Sequence, residues 1–473
     1  MVLEQACVVP PETCPPWQFP SFTYGLSTFS SDTARALSSV CRRWRQLLSN
    51  PVVWSDVNLF ARSADSLHWI ESCLGRSAHM ESMVRIEQST KLRYDEKGIN
   101  VPTVISRHRS KIRGLYLKTR AASDHDFVNI EMANLERLHL TDDSGAGDAP
   151  LTTFSLVNFP GLRVLTLERA RSFPAEELTH ITDLTLDSCA FPIDLSALLA
   201  IAPIEKLRLQ KVTFTHANVA SVPNLKLLVI RNSPVLQILT ALPALPTAAE
   251  VYIYDEWATL ARPRLEMLPM PYSIFGHGNV VRTVAASIQP RIVSFVLRTS
   301  DGGRTEIITE AAPGITEHSA QAFFKALLVD LPTRSVLLDA SSMEINVHPA
   351  ATRFLCDITI SHLLSVVPWV TQLFLRGPTV FHYVCNVLSS DGALLPGLTC
   401  LNVNLYSNDP FLEGLPLLSD VVAKRPTMRR IAFSGTERQT RSILEEGGLL
   451  AKQLQGQGIR VFLLTSWPLS MQI

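Results

Sequence analysis

An α/β fold of short stacked units is the architecture this sequence predicts, and three observations predict it. A six-residue pattern, apolar-x-x-apolar-x-apolar, recurs along the chain after residue 100. Its first positions are separated by 23, 27, 19, 23 and 21 residues over the best copies. Hydrophobic residues make up 46% of the 473 and charged ones 18%, which supplies a continuous core and argues against wholesale disorder.

The best copies are IRGLYL (Ile112, Leu115, Leu117), LERLHL (Leu135, Leu138, Leu140), LRVLTL (Leu162, Leu165, Leu167), ITDLTL (Ile181, Leu184, Leu186), IEKLRL (Ile204, Leu207, Leu209) and LKLLVI (Leu225, Leu228, Ile230). Strand alternation turns the apolar positions inward and the x positions outward. No unit can bury its apolar face alone, so units must stack, and stacking yields a curved parallel sheet. A period of about 20–29 residues is that of leucine-rich repeats. The copy ITDLTLDSCAF follows the longer consensus, with Cys189 at the Asn/Cys position and Phe191 at the apolar position after it. Degenerate copies follow near Val251, Phe295, Val370, Leu398, Met428 and Ile459, spaced widely enough for a helix between strands. The expected fold is a leucine-rich-repeat-like solenoid over residues 61–473, best formed over 110–260. An α/β sheet with Leu-rich strands stays open as the alternative, above all for the C-terminal third.

Upstream the pattern differs. Residues 1–30 carry Pro10, Pro11, Pro15, Pro16 and Pro20, which forbid a helix and favour irregular chain. Residues 32–48 place Ala34, Leu37, Val40, Cys41, Trp44, Leu47 and Leu48 at helical spacing, with Ser31 or Asp32 as a cap and Asn50-Pro51 as a stop. A second helix is expected over residues 67–74, flanked by strands at Val57 and Val84. The apolar stretch 358–375, broken by His362, Pro368 and Gln372, reads as helix, turn and strand rather than a membrane span.

The segment SSVCRRWRQLLSNPVVWSDVNL resembles the C-terminal half of an F-box, with Val40, Cys41, Arg42, Trp44, Arg45 and Leu47 on its helix and Trp54 after it. The layout is similar to that of the F-box/leucine-rich-repeat-like proteins abundant in mushroom-forming fungi, with residues 31–60 as the F-box-like segment. That resemblance implies a Skp-type adaptor of a cullin–RING ubiquitin ligase as partner, contacted through Leu37, Val40, Cys41, Trp44, Leu47 and Trp54. Pro15, Pro16 and Pro20 fall where the family's first F-box helix runs, which removes part of that interface.

Motifs for chemistry are missing from the sequence. It holds no G-x-x-x-x-G-K-[ST], no G-x-G-x-x-G after a strand, no H-E-x-x-H and no G-x-S-x-G. The 12 histidines are dispersed, and the acidic loop 142–148 lacks the distal Glu of a calcium loop. No catalytic, cofactor or metal residue is therefore expected. The 8 cysteines form no C-x-x-C pair, which reads as a reducing compartment, cytoplasmic or nuclear. Lys plus Arg equals Asp plus Glu at 43 each, so no global field favours nucleic acid or membrane, and the basic run 107–113 reads as a solvated edge.

The expected function is that of an F-box-type substrate receptor, a tether that contributes no catalytic residue. The alternatives are an adaptor-independent binding scaffold and, from another class, an enzyme with a dispersed site. The unknown protein partner is expected on the outward x positions of consecutive strands: Tyr116, His139, Thr166, Thr185, Arg208, Val229 and Tyr252, with the following row Lys118, Thr141, Glu168, Asp187, Gln210, Arg231 and Tyr254 beside them.

Overall fold

The computed structural model describes residues 29–30, 39–47, 57–58, 64–76, 82–87, 101–119, 129–142, 156–171, 178–190, 192–194, 202–214, 223–233, 249–257, 281–300, 302–311, 340–365, 367–377, 379–404, 414–435 and 448–464, with 198, 238 and 246. The chain is mixed α/β and divides into two units, Met1–Pro243 and Ala244–Ile473.

The first unit opens with strand β1 (Phe29–Ser30), helix α1 (Arg42–Leu47), strand β2 (Val57–Asn58), helix α2 (Ala64–Arg76), strand β3 (Ser82–Glu87) and helix α3 (Val101–His108). Strands β4 (Ile112–Thr119), β5 (Arg137–Asp142), β6 (Val164–Glu168), β7 (Asp183–Asp187), β8 (Pro192–Ile193), β9 (Lys206–Gln210), β10 (Thr213–Phe214) and β11 (Leu227–Arg231) follow. The main sheet runs β3-β4-β5-β6-β7-β9-β11, every neighbour parallel. Its register aligns the repeats: Leu115, Leu138, Leu165, Leu184, Leu207 and Leu228 are successive partners, as are Leu117, Leu140, Leu167, Leu186, Leu209 and Ile230. All twelve are buried, with the first-position residues Ile112, Leu135, Leu162, Ile181, Ile204 and Leu225. Each such side chain contributes about 1.5–3 kcal/mol of burial.

A residue with positive φ follows four of these strands: Arg169 at 57°, Ser188 at 53°, Lys211 at 48° and Asn232 at 47°. The left-handed turn lets the chain leave the sheet, at a cost of about 1–2 kcal/mol for a side chain with a Cβ. At the next position Cys189 donates to the carbonyls of Leu167 (3.6 Å) and Asp187 (3.7 Å). Ser233 donates in the same way to those of Leu209 (3.5 Å) and Arg231 (2.9 Å). At two of these four positions, therefore, a side-chain donor joins one strand to the previous one, while Ala170 and Val212 stand at the other two.

The second unit contains β12 (Glu250–Trp257), β13 (Val281–Ile288), β14 (Ile292–Thr299), β15 (Arg304–Ala311), β16 (Ser342–Val347), helix α4 (Asp357–Ser365), β17 (Gln372–Arg376), helix α5 (Val380–Ser390), β18 (Cys400–Asn404), helix α6 (Leu415–Ala423), β19 (Arg430–Ser434), helix α7 (Gly448–Gly456) and β20 (Arg460–Leu464). Its sheet order is β12-β15-β14-β13-β16-β17-β18-β19-β20. From β16 to β20 strands and helices alternate, the strands pair in parallel, and α4, α5, α6 and α7 pack successively. The stretch 358–375 resolves into α4, a turn and β17, as its composition predicts.

Two expectations are corrected. The sequence RIVSFVL is not a degenerate repeat copy, because β14 is antiparallel to both β13 and β15. The connections are too short for a crossover and can join only antiparallel strands. Gly302, at φ 93°, turns the second of them, and the Asp301-Gly302-Gly303 run carries that hairpin signal. The helix expected over residues 32–48 is also interrupted. Ser39 and Val40 are helical, Cys41 is not, and α1 begins at Arg42 with the Cys41 carbonyl accepting from Arg45 N–H at 3.1 Å. Residues 31–38, Leu48 and Trp54 lie outside the described residues, as do the side chains of Trp44 and Leu47.

The deepest charge of the second unit is Arg425, 0% exposed. It occupies the turn before a first-position residue, where Val367 and Leu395 stand in the preceding turns. Its guanidinium donates to the carbonyls of Leu388 (2.6 Å), Asp391 (3.0 Å) and Leu394 (2.8 Å), and Lys424 donates to those of Ser389 and Ser390. Two cations from one repeat therefore satisfy the C-terminal carbonyls of α5 in the previous one and oppose its dipole.

Three outcomes follow from this packing. Leu165→Asp or Leu184→Asp places an unpaired charge in the apolar row and should cost several kcal/mol in urea unfolding. Arg425→Met fills the volume but strands the carbonyls, and should cost about 3 kcal/mol by the same measurement. Lys211→Gly relieves the left-handed Cβ and should raise stability by about 1 kcal/mol, seen as a higher urea midpoint.

Candidate functional site

In a parallel repeat sheet the side chains at one register position form a row, so the residues able to meet a partner are set by the strand pairing. In the first unit the pairing aligns Tyr116, His139, Thr166, Thr185, Arg208 and Val229, in that order, on adjacent strands. The row two residues further on aligns Lys118, Thr141, Glu168, Asp187, Gln210 and Arg231. The sequence-based grouping is thus placed together. Tyr252 and Tyr254 belong to the second unit.

The first row offers less open surface than its x positions imply. Tyr116, His139, Thr185 and Val229 are buried, as are Tyr252 and Tyr254, while Thr166 and Arg208 are half-buried. The second row is the more accessible, with Lys118, Glu168, Asp187, Gln210 and Arg231 half-buried.

One knot of side chains joins both rows. The Tyr116 and His139 rings meet edge-on, centroids 4.6 Å apart. Thr141 donates to Glu168 Oε2 at 3.0 Å, and His139 Nε2 lies 3.6 Å from the same oxygen. The imidazole, more than any other neighbour, holds the Glu168 carboxyl below its ordinary value. Burial pushes that of Asp187, its partner on β7, up instead. The Thr141 hydroxyl is 3.4 Å from His139 Nε2 as well. A nucleophile relay needs the hydroxyl on one ring nitrogen and the carboxylate on the other. Here both lie on one nitrogen, so the geometry fixes side chains and does not pass a proton along. Arg208 is held by Asp183 at 2.6 Å on the neighbouring strand.

Other groups named by the sequence are used locally. In the basic run, Arg107 pairs with Glu71 at 2.5 Å, Lys111 donates to the Leu74 carbonyl at 3.0 Å, and Arg113 pairs with Glu136 at 2.7 Å. Burial pushes the Cys189 thiol up to about 12, so it is a packed thiol and not a nucleophile. Of the positions expected to contact an adaptor, Val40 is 65% exposed and Cys41 is exposed. Among the described residues no three metal-ligating side chains come together, and no helix is long and apolar enough to cross a membrane.

Two carboxylates escaped the sequence reading. Glu306 and Glu344 occupy outward positions of β15 and β16 yet are buried, and burial raises both carboxyls above their ordinary value. Glu306 is met by Arg304 at 2.8 Å, and Arg304 stacks over Tyr252 with its guanidinium carbon 5.7 Å from the ring centroid. Glu344 Oε2 has no hydrogen-bond partner among the described residues. Alternation alone cannot find such groups, because it reports the face and not what covers it.

No protein-family model matches the chain, and no curated protein matches it.

The raised carboxyl of Glu344 gives a signed expectation. The folded state binds its proton more tightly than the unfolded chain, so stability falls as pH rises through the window above the ordinary carboxylate value. Glu344→Gln should therefore stabilise the protein at pH 7 and flatten that fall in thermal melts from pH 4 to 8. A melt lowered by the substitution at pH 7 would reject the assignment.

Proposed function

We propose that this chain is a non-catalytic receptor that holds a protein partner on a leucine-rich-repeat-like solenoid. We further propose that its F-box-like N-terminal segment makes it a substrate receptor of a cullin–RING ubiquitin ligase, acting inside the cell. Such a receptor works by raising the local concentration of its partner beside the ubiquitin-loaded enzyme. The observation that carries the receptor reading is the in-register stack of β4, β5, β6, β7, β9 and β11, which turns single x positions into rows. The ligase reading rests on the VCRRW resemblance, supported by Val40 and Cys41, which present apolar and thiol surface to solvent.

A second reading has its own observation. The helical break at Cys41, together with the prolines at 15, 16 and 20, favours an adaptor-independent scaffold. Titration of a purified Skp-type adaptor against the full chain separates the two. On the ligase reading the adaptor binds, and Val40→Asp weakens it at least about tenfold by placing a charge in an apolar contact. No binding at any attainable adaptor concentration leaves the scaffold reading. For the receptor reading, affinity capture of a partner followed by Lys118→Ala with Arg231→Ala should weaken that partner, because these are accessible members of the second row.

A further inference from the structure

The outward face of β19 and β20 carries a charge arrangement that the packing leaves unresolved. Arg430 and Arg460 are direct register partners, so their side chains stand side by side on one face. Both are exposed, and neither has a carboxylate partner among the described residues. Strands β17 to β20 contain no Asp or Glu at all. Like charges directly opposite on neighbouring strands repel. The Arg430 guanidinium is oriented, since its carbon sits 4.8 Å from the centroid of the Phe462 ring. Phe462 itself is 38% exposed, on the face shared with Arg460, and β20 is the last strand of the sheet order.

We propose that Arg430, Arg460 and Phe462 form a docking surface for an extended acidic segment of a partner protein. This rests on the receptor reading and gives it a partner chemistry. One carboxylate placed between the two guanidinium groups accepts from both and removes their repulsion. Arg460 and Phe462 are two residues apart on one strand, about 6.6 Å. An extended segment beside β20 has the same two-residue repeat. An acidic residue facing the arginines therefore brings the residue two positions on against the Phe462 ring. The segment recognised has the form acidic-x-apolar. Two arginines beside an aromatic ring suit a single carboxylate with an apolar neighbour better than a phosphate backbone, which needs a longer basic track.

The test uses the full chain and fluorescent twelve-residue peptides. One carries Glu-Thr-Leu in an otherwise uncharged extended sequence. The others carry Gln-Thr-Leu, or Glu-Leu with the spacing shortened by one. A thymidine oligonucleotide is the fourth probe. The Glu-Thr-Leu peptide should bind with salt-sensitive affinity, and each altered peptide should lose at least about fivefold. Arg430→Ala with Arg460→Ala should lose at least about tenfold. Arg460→Glu in the free protein should raise the melting temperature by about 1–3 °C, since it converts repulsion into an ion pair. Failure of the peptide to bind, binding indifferent to both arginines, or tighter binding of the oligonucleotide each overturns the proposal. Where the peptide fails while a captured partner still depends on Lys118 and Arg231, this surface is rejected and the receptor reading stands. Where no partner is captured and the peptide binds, the receptor reading fails and this surface stands.

Discussion

A single backbone carbonyl in each repeat governs how the next repeat is laid down. The Glu136 carbonyl accepts from Arg163 N–H (2.9 Å) and Val164 N–H (3.0 Å). The Arg163 carbonyl then accepts from Thr182 (2.9 Å) and Asp183 (3.1 Å), and that of Thr182 from Glu205 (2.8 Å) and Lys206 (3.0 Å). Ser341, Thr371 and Thr399 do the same in the second unit. A carbonyl has two lone pairs, and here both are used by the two amides that open the following strand. The strand entry is thereby pinned. A slip of one residue would turn every inward leucine outward, so this contact and the apolar rows specify the same register.

The legibility of the fold follows from that agreement. The inward rows from Leu115 to Leu228 were readable because each leucine meets another leucine at the same register position, so pattern and packing coincide. RIVSFVL reads as a repeat copy because it has suitable apolar residues, while the direction of β14 is set by the turns on either side. The break at Cys41 was not readable from spacing, since apolar periodicity records a face and is blind to one residue leaving helical geometry. For the site, the membership of the rows was legible and their exposure was not. Tyr116 and Tyr252 are outward by alternation and buried in fact.

Buried polar groups bear on function through the same accounting. The Thr141–Glu168–His139 knot satisfies its members with one another, which fixes Thr141 and Glu168 within the second row. Glu344 Oε2 has no such bond among the described residues, and the nearby Arg376 charge offsets part of the cost of its burial.

Arg425 shows how the helix layer is tied to the strands by the same nearest-neighbour logic. An apolar residue in its turn would pack, as Val367 and Leu395 do, but would leave the last carbonyls of α5 without partners. From the turn that leads into β19 the guanidinium reaches Leu388 in the last turn of α5 and Asp391 and Leu394 just after it, and the Lys424 ammonium covers Ser389 and Ser390. The end of one helix and the entry of the next strand therefore share a single set of hydrogen bonds. Moving α5 breaks the turn, and moving the turn shifts the Arg429 and Arg430 amides that bond to the Thr399 carbonyl at the entry of β19. Side chains on the outward face of β19, including Arg430 and its Phe462 contact, are held in place through that chain of bonds. A rigid face costs less ordering entropy on docking than a mobile one, so under the proposed docking of an acidic segment the buried cation would assist binding without touching that segment.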